Sequence, residues 1–482
     1  MAAELPNFIV LRATAHQRYV SYYKEEGPQK GWVTAEVEDV FSPLVKIQVE
    51  PSKTDERFVH FRFVHTNKYI ARSNNSQQLI AVADQPEEDL SKPTCTLFEP
   101  VFTPATNALA LRHVQSNRRV DVLSLTFNPP LAPRLICLIT RFATNELPPS
   151  DHYQFIDWDT LIILPRHVAF KGHNDKYLRS LTFQNFPYQQ LSADDPNATD
   201  TGFEVHTMLD GHVRIKSLHF DRFWRRSPNW IWADNNDANS THADTLFWPV
   251  KIDDNTIALR NAGNNHFIMP LTLEGKTDCL NARVPNMTIE TRFVVEELVL
   301  KRDIYHVRYR MEESRIYDEE PFLAGTATAT NMSNDEATLG ITVAYEEASS
   351  YSFTSSRSIT AGVESKITVG IPKIASGKLR ISSEVTQTLE WNETKEEKKT
   401  VEVEHSVTVP PKSRATVTYV GTQGKCSVPF SYTQKDKSST TGQMITSQHA
   451  DGIFFGVNYY NFQFEAMEIE PPGRVGLGSC VL

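Results

Sequence analysis

Phe61-Arg62-Phe63-Val64-His65-Thr66-Asn67-Lys68-Tyr69-Ile70 reads as a strand, a polar turn and a returning strand. Thr66-Asn67-Lys68 reverses the chain, and Tyr69 brings an aromatic back to a core. The same pattern recurs along the first part of the chain. Phe8-Ile9-Val10-Leu11-Arg12 leads to Gln17-Arg18-Tyr19-Val20, and Leu109-Ala110-Leu111-Arg112 leads to Asn117-Arg118. A second set of three follows: Val168-Ala169-Phe170-Lys171-Gly172 with Asn174-Asp175-Lys176-Tyr177-Leu178, Ile215-Lys216-Ser217 with Asp221-Arg222-Phe223-Trp224, and Ile257-Ala258-Leu259-Arg260 with Asn264-Asn265-His266-Phe267. Two long units thus each hold three short ones, spaced roughly 45 to 50 residues apart.

A short unit of about four strands cannot bury its apolar face alone, whereas three such units can close a small barrel with a hairpin cap. The expectation is an all-β protein that opens with two tandem β-trefoil domains, residues 1–154 and 155–300. The boundary falls near Phe155-Ile156-Asp157-Trp158. Beyond residue 300 Ser, Thr, Glu and Lys rise and long stretches alternate strictly, so 301–482 reads as a separate, elongated antiparallel β module. The acidic run from Glu312 to Glu320 reads equally well as a linker or as a solvated loop or strand edge.

With 482 residues the chain is too long for one ordinary domain. A net charge of −10 without a basic stripe argues against a nucleic-acid partner. The apolar runs are far shorter than a spanning helix, and the N-terminus lacks the basic and apolar regions of a signal peptide. Five widely spaced cysteines, Cys95, Cys137, Cys279, Cys426 and Cys480, suit neither a disulfide scaffold nor a zinc site. A cytoplasmic or nucleocytoplasmic protein is expected, as synthesised.

The segment 358–391 is the most informative part of the C-terminal module. In its first arm Ile359, Ala361, Val363, Ile367, Val369 and Ile371 hold odd positions, with polar or small residues between them. After Pro372-Lys373-Ile374-Ala375-Ser376-Gly377 the alternation resumes with Leu379, Ile381, Val385, Leu389 and Trp391. Period-two alternation places one face in an apolar medium and the other in water. Arms of about 13 residues exceed the roughly 9–11 that cross a membrane as a strand. A turn centred on Ile374 brings Lys366 beside Glu384 on the wet face. Such a hairpin is stable in lipid only when many copies close a barrel, because open strand edges leave backbone groups unsatisfied there. Alternation alone is also ordinary in half-buried antiparallel sheets.

Residues 5 to about 300 resemble the amaranthin-like plant lectins, which consist of agglutinin domains. The matching words include Val49-Glu50-Pro51-Ser52-Lys53-Thr54, Thr66-Asn67-Lys68-Tyr69, Cys95-Thr96-Leu97-Phe98, Ile156-Asp157-Trp158 and Phe170-Lys171-Gly172. The last third is similar to aerolysin-type β-pore-forming modules, in Ala329-Thr330-Asn331-Met332-Ser333, in the hairpin and in Val407-Thr408-Val409-Pro410-Pro411-Lys412-Ser413. The resemblance implies paired β-trefoils, binding of Gal-GalNAc-type glycans by a dimer, and a role in plant defence.

Sugar sites set an aromatic wall against a few placed polar groups. In amaranthin-like lectins the first-domain segment after Asn-Lys-Tyr reads Trp-Ser-Pro-Asn-His-Tyr-Trp. Here it reads Ser73-Asn74-Asn75-Ser76-Gln77-Gln78-Leu79, without aromatics. The second domain has Trp224-Arg225-Arg226-Ser227-Pro228-Asn229-Trp230-Ile231-Trp232 instead. The resemblance therefore points to Asn229, Trp230 and Arg226 as sugar contacts, with Trp232 and Asp234 behind and Asn75 and Gln77 as weaker candidates. Trp224 is expected in the core, while His113 and Asn117 are surface residues or face a partner's site.

No phosphate loop, H-E-x-x-H, C-x-x-C or G-x-S-x-G motif occurs, so no enzyme activity, cofactor or metal is expected. The expected partners are glycans, a target membrane and further copies of the chain as a dimer or ring. The competing expectation is a soluble agglutinin whose last module only oligomerises; a glycan-processing enzyme is the more distant one.

Overall fold

The computed structural model describes residues 5–25, 27–103, 108–126, 134–141, 152–355, 365–375 and 377–471. Among these the chain is all-β, with only short 3-10 turns such as Pro43–Val45 and Trp158–Thr160 between strands. The residues fall into two compact units. One takes in the chain up to Arg302 together with Lys435–Thr446, and the other begins at Asp303 and runs through Gln434 and on from Ser447.

The first unit holds two copies of one arrangement. In the first copy six strands pair in a closed circuit: Phe8–Ala13, Ile47–Pro51, Val59–Phe63, Leu97–Thr103, Ala108–His113 and Tyr153–Asp157, the last returning to the first. In the second copy the circuit is His167–Lys171, Phe203–Thr207, Val213–Ser217, Phe247–Lys251, Thr256–Asn261 and Arg292–Glu297. Each circuit carries three hairpins. In the second copy they are Tyr177–Phe183 with Phe186–Ala193, Arg222–Ser227 with Trp230–Asn235, and Phe267–Leu273 with Lys276–Val284, and each pairs with the other two.

The repeated turn has a single physical cause. Gln17, Asn67, Asn117, Asp175, Asp221 and Asn265 all have left-handed backbones, with φ between 51° and 61°. Asn and Asp tolerate this region better than other non-glycine residues. Each turn passes from a circuit strand into a hairpin strand. Just before it, a basic residue stands opposite the returning strand: Arg12↔Tyr19, Arg62↔Tyr69, Arg112↔Arg119, Lys171↔Tyr177, Lys216↔Phe223 and Arg260↔Phe267. Inside the circuits lie the two cores. Phe61, Phe63, Phe98 and Tyr153 anchor the first; Phe170, Phe203, Phe247, Phe293 and Trp224 anchor the second. Trp224 is 1 % exposed and meets Phe203 edge-on at 5.3 Å. His113 is fully buried too: Nε2 lies 3.1 Å from the Cys95 carbonyl, Nδ1 lies 2.9 Å from Ser116 Oγ, and burial lowers its pKa.

The second unit is built on an eight-stranded sheet with long strands. Its order is Lys378–Glu390, Ser365–Ala375, Val299–Tyr309, Ser413–Ser438, Met444–Glu470, Ala337–Ser355 and Thr394–Val409, with Arg315–Asn331 also paired to Ser413–Ser438. One outer strand, Thr394–Val409, carries Lys395, Glu396, Lys398, Lys399, Glu402 and Glu404. Such charge discourages edge-to-edge pairing with other chains. The other outer strand belongs to the hairpin.

Lys435–Thr446 is tied to the second copy of the first unit. Arg302 donates to both carboxylate oxygens of Asp436 at 2.8 Å and also pairs with Glu297. The side chains of Arg302 and Glu297 are 8 % and 2 % exposed. Burial opposes the charge on Arg302, but the two carboxylates more than offset this and raise its pKa. Ser439 N–H donates to the Leu298 carbonyl at 2.9 Å. Removing one member of a buried ion network strands the others, at about 3–5 kcal/mol. Arg302→Ala should therefore lower stability in urea titrations by about that amount, and a loss under about 1 kcal/mol would show that the network is effectively solvated.

Candidate functional site

In the second copy Arg222–Ser227 and Trp230–Asn235 form a hairpin with Ser227 opposite Trp230, so Pro228 and Asn229 make its tip. Arg226 reaches across to the neighbouring loop. Its Nε donates to Asp244 Oδ1 at 2.7 Å and to Asn261 Oδ1 at 3.1 Å, and its Nη1 donates to Asn229 Oδ1 at 3.2 Å and to the Pro228 carbonyl. Asn264 Nδ2 also donates to Asn229 Oδ1, at 3.4 Å, and to the Ala282 carbonyl at 2.9 Å. The Asn229 carbonyl accepts from Ala282 N–H at 2.7 Å. A polar floor results, with Asn229 exposed above it. Gly263 is required by the close approach of Asp244, because a Cβ there would stand 2.0 Å from the carboxylate.

Arg226 and Asn229 are thus brought together. The other sequence candidates have different surroundings. Trp230 is 7 % exposed; Tyr188 meets its ring edge-on at 5.9 Å and the Lys276 ammonium lies 5.0 Å from it. Trp232 stacks on Phe186 at 4.4 Å. The alternation of the hairpin turns both rings toward the neighbouring hairpins, so they pack with protein rather than wall the Asn229 floor. Asp234 is held by Arg225 through bonds of 3.0 and 2.5 Å, which raises the pKa of Arg225. In the first copy Asn75 and Gln77 are both exposed on the turn between Lys68–Arg72 and Leu79–Ala83, where the Gln77 carbonyl accepts from Thr140 N–H at 2.7 Å. Asp244, Asn261 and Asn264 were missed by sequence reasoning. Asp244 comes from the 3-10 turn Ala243–Thr245, Asn261 from the end of the strand Thr256–Asn261 and Asn264 from the turn after it, and only the three-fold recurrence of the turns could have flagged them.

The hairpin is the second candidate. Ser365–Ala375 pairs with Lys378–Glu390, and Gly377, with φ +70°, sits in the turn. This corrects the expected centre at Ile374. Ile374 lies opposite Leu379, and Lys366 lies opposite Glu390 rather than beside Glu384. Pro372, which looked like part of the turn, sits at a register shift after Gly370. Ile367, Val369, Ile371 and Ile374 are between 0 % and 7 % exposed and pack with Phe353, Val428, Phe430, Phe454 and Tyr460. Tyr309 Oη donates to the Gly370 carbonyl at 2.6 Å, and Asn458 Nδ2 donates to the Ile374 carbonyl at 3.1 Å. Leu379 is half-buried and Ile381 is 44 % exposed. Ile359 and Val363 lie outside the described residues. Val385 and Leu389 belong to the strand Lys378–Glu390, and their side chains lie outside the description.

Burying an aliphatic side chain contributes about 1.5–3 kcal/mol, so the four buried residues of the first arm hold it with roughly 6–12 kcal/mol. Among the described residues no group of three or more His, Cys, Asp or Glu side chains is placed to hold a metal. Burial raises the pKa values of the thiols of Cys137 and Cys426 to about 12 and of Cys279 to about 11, which removes them as nucleophiles near neutral pH.

The agglutinin-domain family matches residues 3–123 and 163–298, together more than half of the chain. The Clostridium epsilon toxin ETX/Bacillus mosquitocidal toxin MTX2 family matches residues 283–459. The chain therefore belongs to the agglutinin-domain family and carries an aerolysin-like toxin domain of the ETX/MTX2 kind. Natterin-1 of the fish Thalassophryne nattereri is 28 % identical over 165 residues, covering 33 % of this chain and 46 % of that protein. Natterin-2 of the same fish is 28 % identical over 161 residues, covering 32 % and 43 %. The chain thus spans less than half the length of these relatives. Among solved structures, a mosquitocidal holotoxin is 10 % identical over 64 % of this chain and 36 % of its own, with a TM-score of 0.29. An aerolysin-like protein of Bombina maxima is 12 % identical over 35 % of this chain and 99 % of its own, with a TM-score of 0.24.

Gly263→Ala should push Asp244 off Arg226 at a cost of about 1–3 kcal/mol. A thermal melt unchanged from the parent would show that the floor yields freely. Ile367→Ala should destabilise by about 2–5 kcal/mol, read by denaturant unfolding; a change below about 1 kcal/mol would mean that the hairpin arm contributes little to resting stability.

Proposed function

We propose that the chain is a sugar-guided pore-former. On this reading each copy in the first unit is a β-trefoil; the closed six-strand circuit with three mutually paired hairpins supports it. The trefoils bind glycans of the Gal-GalNAc type at a target membrane, with Arg226 and Asn229 at the contact. Weak sites add up when several copies bind one surface. The hairpins of many copies then leave their resting sheets and close a barrel. The role is defensive, as the resemblance to plant lectins suggests, and the protein is made in the cytoplasm or nucleocytoplasm. It is not an enzyme and takes no cofactor, and nucleic acid is not a partner. Copies associate with one another, as a dimer or a ring.

The observation that carries the reading is the place of the hairpin. It lies at the outer edge of its sheet, so release breaks one ladder, that with Val299–Tyr309. The apolar face hidden against Phe353 and Phe430 is the face a bilayer would receive. Transfer from core to lipid keeps those side chains out of water, so the burial lost at release is regained on insertion. The close packing of that face also suits the competing reading, in which the sheet is permanent and the protein only agglutinates.

Ile381 separates the two. It is exposed at rest, so Ile381→Asp should leave the melting temperature unchanged. A charge on the lipid face costs about 2–4 kcal/mol at mid-bilayer, repeated in every copy. Dye release from liposomes bearing mixed glycolipids should therefore fall severely in this variant, and competing Gal-GalNAc should suppress release by the parent. Equal release by parent and variant would sink the hairpin assignment. Binding without release by either would establish the soluble agglutinin.

A further inference from the structure

Of the six equivalent basic residues that precede the turns of the first unit, four are neutralised by a carboxylate. Arg62 Nε donates to Glu50 at 3.0 Å and Arg112 Nε to Glu99 at 2.5 Å; Lys171 pairs with Asp175 at 3.2 Å and Lys216 pairs with Asp221. Arg12 and Arg260 have no such partner among the described residues. Arg12 Nε is shielded from solvent and makes no hydrogen bond. The Arg260 guanidinium sits 5.9 Å from the Phe267 ring. These two line one cleft of about 320 Å³ between the two copies of the agglutinin domain, together with Tyr19, Asp210, His212 and Trp248.

The walls are firmly set. The turn bearing Asp210 is tied to the first copy by Val40 N–H donating to the Leu209 carbonyl at 2.8 Å. Gly211, with φ +94°, leaves room for the Trp248 ring, which an added Cβ would meet at 3.0 Å. His212 stands edge-on to Trp248 at 5.1 Å, and its Nδ1 lies 3.1 Å from Asp210 Oδ2. Burial pushes the Tyr19 hydroxyl up to about 12, so it remains a donor near neutral pH. Burial also acts to raise the pKa of Asp210, but His212 and Arg12 reverse this and keep it an anion. Three of the lining residues are backed by apolar packing: Tyr19 belongs to a cluster with Val10, Val40, Trp158 and Leu161, and Ile156 and Trp248 pack against it.

We propose that this cleft binds a carboxylated monosaccharide, such as a uronic or sialic acid. The volume is at the small end of ligand sites, which run from about 300 to 1,000 Å³. Trp248 offers a ring to the apolar side of a pyranose, and Asp210 accepts from its hydroxyls. Arg12 and Arg260 supply two guanidinium groups for the carboxylate, the group they bind best through paired hydrogen bonds. The site is separate from the Arg226–Asn229 floor and rests on the sugar-binding reading only for its class of ligand.

The test is calorimetric titration of the full chain with glucuronic acid and N-acetylneuraminic acid, with glucose and inorganic sulfate alongside. At least one acidic sugar should bind, and glucose should bind about tenfold or more weakly. Arg260→Gln and Arg12→Gln should each weaken acidic-sugar binding by about tenfold or more. Lys216→Gln, the equivalent residue with its own partner, should leave it unchanged. Should Arg12→Gln fail to fold in a thermal melt, Arg260→Gln, in the second copy, carries the test. Glucose binding as tightly as the acids, sulfate binding as tightly as the sugars, or no binding at all would each overturn the proposal. Acidic-sugar binding that persists while the parent ignores Gal-GalNAc would remove the proposed glycan and leave this site standing.

Discussion

Backbone groups at the edge of a strand must find partners, and the whole chain is arranged around that demand. In the first unit it is met by closure: six strands run in a circuit that returns to its start, twice over. Closure needs the chain to leave the circuit at regular intervals, and the left-handed turns at Asn67, Asn117, Asp175, Asp221 and Asn265 make those exits. Core and surface follow from the same geometry, since alternation along each circuit strand sends Phe61, Phe63, Phe170 and Phe203 inward. The second unit leaves its sheet open. One edge is guarded by charge along Thr394–Val409 and the other is occupied by the hairpin.

Much of this was legible in the sequence because it is local. The turn pattern needs only a polar residue that accepts a left-handed backbone, a basic residue before it and an aromatic after it, all within about ten residues. The hairpin was legible because a period of two survives in Ile367, Val369 and Ile371 whatever the sheet does around them. What failed was also physical. Proline marks either a turn or an interruption of a ladder, and Pro372 is the second; the reversal belongs to Gly377. Tryptophans in a lectin-like stretch suggest a sugar wall; here Trp230 is buried and Trp232 half-buried where three hairpins converge, a placement that the sequence did not disclose. The Asp244–Arg226–Asn229–Asn264 floor draws on residues up to 38 positions apart with no regular spacing, so only folding reveals it.

The two copies of the agglutinin domain also show how repetition hides chemistry. A position repeated six times looks structural, and at Arg62, Arg112, Lys171 and Lys216 it is. The exceptions are visible only once the partners are known. Arg12 comes from the first copy and Arg260 from the second, so the two guanidinium groups without a hydrogen-bonded carboxylate among the described residues lie at the seam between the copies, with Asp210 in the same cleft.

The outermost place of the hairpin has a consequence for timing. A sheet that sheds its outer strands uncovers the N–H and C=O groups of Val299–Tyr309, until then covered by Ser365–Ala375. A solitary molecule in that state is adhesive, ready to take up any extended segment it meets. For a hairpin released as proposed, the order of events therefore matters more than ease of release. A molecule already crowded among its own kind has a neighbour at hand for the fresh edge, whereas one that opens early in solution is lost to clumping.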